Sequence, residues 1–289
     1  MKDALFIASQ YLMPQHTLSR LAGKLANCEN QTVKSRFIQW FAKRYGVDMS
    51  EAEREALDSY AHFNDFFTRA LKPGARPIDA APGSIVCPAD GSISQIGDIA
   101  DGRIFQAKGQ MYSALELLGG DEALAREFDE GSFATVYLSP KDYHRVHMPL
   151  GGQLRQMTVV PGELFSVNEV TAQKVPRLFA RNERVVTVFD TEAGPMAVVL
   201  VGAVIVAGIE TVWSGEVAPL RRRIATTRYG AEANPQIKLA KGAEMGRFKL
   251  GSTAIVLFAK DQVNWRESFE AGTATRMGEA LGDIAGSNS

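Results

Sequence analysis

A serine placed directly after a glycine, inside an apolar strand, sets a hydroxyl nucleophile against an unshielded backbone carbonyl. Gly251-Ser252-Thr253 sits in such a place. Phe248, Leu250, Ala254, Val256 and Phe258 alternate with their neighbours, the period-two pattern of a strand with one face on a core. The alternation puts Ser252 on the apolar side, where its hydroxyl needs a partner. Gly251 removes the side chain that would shield the preceding carbonyl. Serine can supply an attacking hydroxyl and, once acylated, a β leaving group; alanine can supply neither. Taken alone, a small triplet in a strand reads more often as a packing kink.

Two of the four histidines, His144 and His147, lie three apart in Tyr143-His144-Arg145-Val146-His147-Met148-Pro149. In a strand, positions i and i+3 face opposite ways, so the rings converge only if the chain turns. No third histidine and no cysteine lies nearby to complete a zinc set, so no metal is expected. The ordinary reading of both rings is a hydrogen-bonded place in or near the core. Asp90, in Pro88-Ala89-Asp90-Gly91, precedes a glycine and taken alone is turn chemistry.

The elements that must hold these groups are mixed. Residues 1–47 read as amphipathic helices: Leu5, Phe6 and Leu12, then Leu18, Leu21 and Leu25, then Phe37, Ile38, Trp40 and Phe41 recur at helical spacing. Pro14 divides the first helix from the second, with Thr17 or Ser19 as cap. This segment holds seven basic residues against two acidic ones, a net charge of +5, and with Phe and Trp it suits an anionic membrane surface. Residues 48–72 predict a short acidic helix (Glu51, Glu53, Glu55, Asp58) leading into the aromatic run Phe63–Phe67. Lys72-Pro73-Gly74-Ala75-Arg76-Pro77 is turn-rich and marks a boundary between a helical arm, 1–72, and a body, 73–289. Strand signals dominate the body from about residue 84, with a surface helix expected over Leu115–Phe128. Residues 187–212 read as buried strands and Gly282–Ser289 as a frayed tail. Arg221-Arg222-Arg223 with Arg228 is either a solvated loop or a contact for phosphate head groups. The fold expected is α+β, a mostly antiparallel β body with an N-terminal amphipathic helical arm.

Composition narrows the class. The chain has 289 residues, 45% hydrophobic and 22% charged, with net charge −1. That is ordinary globular chemistry and argues against bulk nucleic-acid binding. Cys28 and Cys87 are too few and too far apart for a disulfide framework, so a reducing compartment fits. The start lacks the pattern of a secretory signal. The most apolar stretch, 196–209, is too short for a helical membrane span of about 20 residues.

Leu250-Gly251-Ser252-Thr253, preceded by Lys241-Gly242-Ala243-Glu244-Met245-Gly246, resembles the self-cleavage site of the phosphatidylserine decarboxylases. The Asp90 run, the His144/His147 run and Phe63-Asn64-Asp65-Phe66-Phe67-Thr68-Arg69 resemble that family's other motifs, in family order. Val160–Asn168 and Arg181–Val186 also look like family segments, with no role assigned. The resemblance implies cleavage between Gly251 and Ser252 into chains 1–251 and 252–289, which stay together as a heterodimer. Ser252 would become a covalent pyruvoyl group, the cofactor, which forms a Schiff base with phosphatidylserine and releases CO2 to leave phosphatidylethanolamine. Carried across, Asp90, His147 and Ser252 resemble the triad that drives self-cleavage. A histidine of reference pKa about 6.5 is a natural base for a serine hydroxyl, and a carboxylate orients such an imidazole. Thr253 is expected to donate to the oxyanion, and His144 is the candidate proton donor of the decarboxylation. The enzyme would sit peripherally on the cytoplasmic face of the cell membrane. Three rivals remain: a pyruvoyl decarboxylase of a soluble amino acid, a metal-dependent hydrolase using His144, His147 and Asp90, and a non-catalytic β-rich lipid-binding module.

Overall fold

The structure is a computed structural model and describes residues 2–107, 109–204, 208–218, 223–230, 236–249 and 252–286. Three helices open the chain: α1 (Lys2–Leu12), α2 (Gln15–Ala26) and α3 (Gln31–Tyr45). Pro14 itself is the N-cap of α2, with no side-chain cap bond. Thr17 and Ser19 therefore lie inside the helix, because proline already holds the φ a helix start needs. Asn30 caps α3 by accepting from the amides of Thr32 and Val33.

The acidic helix expected after residue 48 does not form. Residues 48–56 are turns, a single 3-10 turn covers Leu57–Ser59, and the next helix is α4 (Phe63–Phe67). Long-range partners outweigh helix propensity here: Glu51 pairs with Arg76, Glu55 with Lys72, and Ala52 bridges to Leu71. Ile38, Phe41, Tyr60, Phe63, Phe66 and Phe67 form a core of their own under these helices.

The body contains, in order, β1 (Ser84–Val86), β2 (Gly91–Asp98), β3 (Arg103–Ala107), β4 (Gln110–Ser113), α5 (Ala114–Leu117), α6 (Glu122–Glu127), β5 (Ser132–Leu138), β6 (Arg145–His147) and β7 (Gly152–Val160). Then come α7 (Glu169–Lys174), α8 (Leu178–Arg181), β8 (Arg184–Thr191), β9 (Gly194–Gly202), β10 (Gly208–Thr211), β11 (Gly215–Ala218), β12 (Ala225–Arg228) and β13 (Lys238–Leu239). Last are β14 (Glu244–Lys249), β15 (Ser252–Phe258), β16 (Val263–Trp265), β17 (Ala274–Thr275) and β18 (Ala280–Ile284). The fold is α+β, as the sequence predicts.

The main sheet runs β12-β7-β8-β9-β15-β5-β2-β17, with β13 beside β7, and its ladders are antiparallel. Alternation gives it two apolar faces. Ala254, Val256 and Phe258 pack on one side, under the small sheet β11-β10-β14-β6. Ile255 and Leu257 pack on the other, under the helices α5 to α8. Each fully buried Val, Leu, Ile or Phe contributes about 1.5–3 kcal/mol, so a sheet buried on both faces is held firmly.

Three further expectations need correction. The helix over Leu115–Phe128 is two short helices, broken where Gly119 and Gly120 adopt φ of 87° and 85°. Leu117, Leu124 and Phe128 are buried rather than at the surface. The segment from Gly282 is not frayed up to Ile284, because β18 pairs with β1 and β16. Asp90-Gly91 is not a tight turn: Gly91 starts β2, and a Cβ there would lie 2.1 Å from the Tyr137 carbonyl oxygen. Glycine is needed for the close approach of β5. Gly251, Arg221 and Arg222 lie outside the described residues, as does the side chain of Ser252.

Candidate active site

The backbone of Ser252 begins β15, opposite Leu138 of β5 on one side and Gly202 of β9 on the other. The ladder continues to Phe258 on both sides. β14, which leads into this point, lies antiparallel to β6, so Arg247 faces Arg145 and the Phe248 amide donates to the His144 carbonyl at 3.0 Å. The register therefore brings His144 beside the residues just upstream of Gly251, while His147 sits farther back, opposite Glu244.

Each histidine has a defined tautomer. His144 Nδ1 lies 2.8 Å from the Asp142 carbonyl oxygen and His147 Nδ1 lies 2.8 Å from that of Gly242. A carbonyl only accepts, so both Nδ1 atoms carry the proton. The His147 Nε2 then accepts from the Tyr143 hydroxyl at 3.0 Å, whereas the His144 Nε2 is buried with no partner. Burial holds both rings below the ordinary imidazole range, His144 to about 3. His144 is wholly buried, its ring 3.9 Å from that of Phe67. The aromatic run of α4 is thus both a core and a cover for this imidazole.

These states bear on two roles that the resemblance implies. With Nδ1 tied to the Asp142 carbonyl and Nε2 bare, the resting His144 does not present a proton at Nε2. Nor does Asp90 orient His147. Its carboxylate is held by Arg76, whose Nε reaches both oxygens at 2.9 and 3.0 Å and whose Nη2 is 2.5 Å from Oδ2. The Met277 amide donates to Asp90 Oδ1 at 2.8 Å. The histidine strand rests on the same loop, since the His147 amide donates at 2.8 Å to the carbonyl of Pro88, two residues before Asp90.

Arg76, Tyr143 and Asp142 are site residues that the motif reading left unassigned. Arg76 was legible only as a hinge residue, because its partner lies across the fold. Burial pushes Tyr143 up to about 12, so its hydroxyl keeps its proton and can pass it toward His147. Thr253 is fully buried with its hydroxyl unpartnered. By alternation it falls on the helix-covered face with Ile255 and Leu257, opposite to position 252. Among the described residues, no group of three or more His, Cys, Asp and Glu gathers as a metal site.

A cavity of about 720 Å³ opens at the same end of the main sheet. Leu138, opposite Ser252, and Ala203, next to the opposing Gly202, line it together with Phe6, Leu18, Leu21 and Leu25 from the arm. Arm and body are joined here: the Ser166 amide donates to Gln10 Oε1 and the Leu164 amide to Gln15 Oε1. An apolar cleft of this size at the head of β15 suits a ligand with a large apolar part.

Comparison with known proteins agrees with the motifs. The family model for phosphatidylserine decarboxylase matches residues 63–283, and a second model, described as PSD, matches residues 5–46. The chain is similar to a phosphatidylserine decarboxylase proenzyme of Pseudomonas entomophila, 67% identical over 97% of this chain and 98% of the relative. A proenzyme of the same description from Ectopseudomonas mendocina is 65% identical over 98% of this chain and 99% of the relative. One from Pseudomonas fluorescens is 64% identical over 98% of each. Agreement that runs through the arm as well as the body places this chain in the phosphatidylserine decarboxylase family of carboxy-lyases.

Proposed function

We propose that the chain cuts itself between Gly251 and Ser252, converts Ser252 to a pyruvoyl group, and with it turns phosphatidylserine into phosphatidylethanolamine and CO2. The observation that carries this reading is the position of residue 252, at the head of a strand hydrogen-bonded on both sides. A new terminus made there stays fixed when the peptide bond before it is gone. The proenzyme descriptions of the relatives also fit a chain that matures by cleavage.

The chain's own residues divide the work. His144 and His147 are the bases available to take the hydroxyl and Cα protons, one through its bare Nε2 and the other through the Tyr143 hydroxyl. Asp90, locked by Arg76 and Met277, fixes the loop on which the His147 strand rests. The residues present fit a pyruvoyl group, which when formed supplies a carbonyl that captures the substrate amine and accepts the electron pair left by CO2. The apolar cavity takes the acyl part of the substrate and keeps water from the site. That lining speaks against a soluble amino acid as substrate.

We further propose that the arm rests on an anionic membrane surface, at its cytoplasmic face. Leu21, Trp40 and Tyr11 are 58%, 56% and 50% exposed, among the basic residues of the arm, a pattern suited to an interface. Cys28 and Cys87 are free thiols, which fits a reducing side. No described helix is long and apolar enough to cross a membrane.

Mass spectrometry of the purified protein tests the main reading. Two chains, split before residue 252 with a blocked N-terminus on the smaller, are expected, and Ser252→Ala should leave one intact chain. An uncut wild-type chain that still releases CO2 from phosphatidylserine would overturn it.

A further inference from the structure

The carbon that loses CO2 must gain a proton, and the protons of His144 and His147 sit on Nδ1 atoms tied to the carbonyls of Asp142 and Gly242. Glu183 is a buried carboxyl that the self-cleavage chemistry does not use. It is 6% exposed, and among the described residues no cation or donor acts on its carboxyl, burial alone setting its state. Its place in the sheet is well defined. The Gly202 amide donates to the Glu183 carbonyl at 2.8 Å, extending by one residue the register that pairs Arg184 with Val201. Gly202 in turn faces Ser252. Glu183, Gly202 and Ser252 therefore form one row across three neighbouring strands.

Two strand spacings separate the ends of that row, about 10 Å between Cα atoms. The residue in the middle carries no side chain to divide them. The faces also agree. Arg184 sends its guanidinium to the carbonyls of Glu116 and Leu117, on the helix-covered side, so alternation puts Glu183 on the opposite side. Position 252 falls on that same side, in step with Ala254 and Val256. The side chain of Asn182 fixes the row, donating to the carbonyls of Gly202 at 2.9 Å and Phe165 at 2.8 Å while accepting from the Phe165 amide.

We propose that Glu183 is the catalytic acid of the decarboxylation, donating its carboxyl proton to the substrate carbon from which CO2 departs. The inference rests on the pyruvoyl reading of residue 252. In the step, the C–C bond to the carboxylate breaks and CO2 leaves. The electron pair left on the substrate takes the proton of Glu183 as a C–H bond, and water returns a proton to the carboxylate. Burial supports the assignment, since it pushes the carboxyl up to about 7 and keeps much of it protonated at neutral pH. Glu163, whose carbonyl accepts from the Glu183 amide at 2.8 Å, is already paired with Arg181.

The test compares Glu183→Gln with the wild type. The expected variant cleaves into the same two chains at an unchanged rate on a denaturing gel, yet decarboxylates with kcat lowered about 100-fold or more, the usual scale of general-acid loss. Run in D2O, the wild type should place one deuteron on a single face of the product carbon, and the variant should lose that stereochemical preference. Glu183→Asp should recover part of kcat. In the uncut Ser252→Ala chain, an infrared band of a protonated buried carboxyl at pH 6 should vanish when Glu183→Gln is added. Wild-type kcat with retained stereospecificity, absence of that band, or a Glu183→Gln chain that fails to cut itself would each overturn the proposal. A wild type that remains uncut while active sinks the pyruvoyl reading instead.

Discussion

His144 and Glu183 are buried in uncharged form, and their titrations pull stability in opposite directions. In an unfolded chain a histidine binds its proton near pH 6.5, whereas folded His144 does so only at about 3. Its contribution is therefore intact above pH 6.5 and is lost as pH falls toward 3, and His147 acts in the same direction. Glu183 ionises at about 7 when folded and near its ordinary 4.5 when unfolded. Its penalty is absent below 4.5 and complete above 7, about 3 kcal/mol at 1.36 kcal/mol per pH unit. In the uncut Ser252→Ala background, Glu183→Gln should raise the melting temperature at pH 8 more than at pH 5. His144→Gln should flatten the acid-side fall between pH 6.5 and 4. Melting curves across that range check both signs. Arg76→Met leaves the Asp90 carboxylate buried beside no cation, at 7% exposure, and should cost about 3–5 kcal/mol. Arg76→Lys cannot reproduce the forked contact and should recover only part of the loss in a denaturant titration.

At the scale of elements, the end of β9 that faces the head of β15 is held by a side chain outside any strand, that of Asn182. Asn182→Ala removes three hydrogen bonds and leaves the carbonyls of Phe165 and Gly202 and the Phe165 amide without partners. It should destabilise the precursor by about 3 kcal/mol and slow self-cleavage, read as the half-time for the small chain to appear. The strands around β15 were legible because alternation is a local signal and both faces of the sheet are apolar. The acidic segment at 51–58 is not helical because Arg76, Lys72 and Leu71 claim its residues from elsewhere in the chain, a demand local propensity does not carry. Gly119 and Gly120 are visible in the sequence as helix breakers, and they divide the stretch they interrupt. The motifs name the residue types on these segments, but the partner of each is not legible from spacing. Asp90 lies on Arg76 and His147 on Tyr143, contacts made by tertiary packing.

At the scale of the molecule, the arm is both a wall of the apolar cavity and the proposed membrane contact. Leu21 serves both, lining the cavity while remaining 58% exposed. Trp40→Ser, at a position 56% exposed, should reduce flotation with anionic vesicles several-fold while leaving the melting temperature within about 1–2 °C. Equal flotation of variant and wild type would place the contact elsewhere. The placement of β15 between β9 and β5 has a consequence for making the enzyme by halves. A polypeptide ending at 251 would have to leave an open slot in the middle of its sheet, with two long bare edges liable to pair with other copies. A second polypeptide beginning at 252 could not thread into that slot once the edges had closed on each other. Fragments expressed from a split gene should therefore fail to complement, and the peptide bond that is later broken serves first as the tether that delivers its own strand.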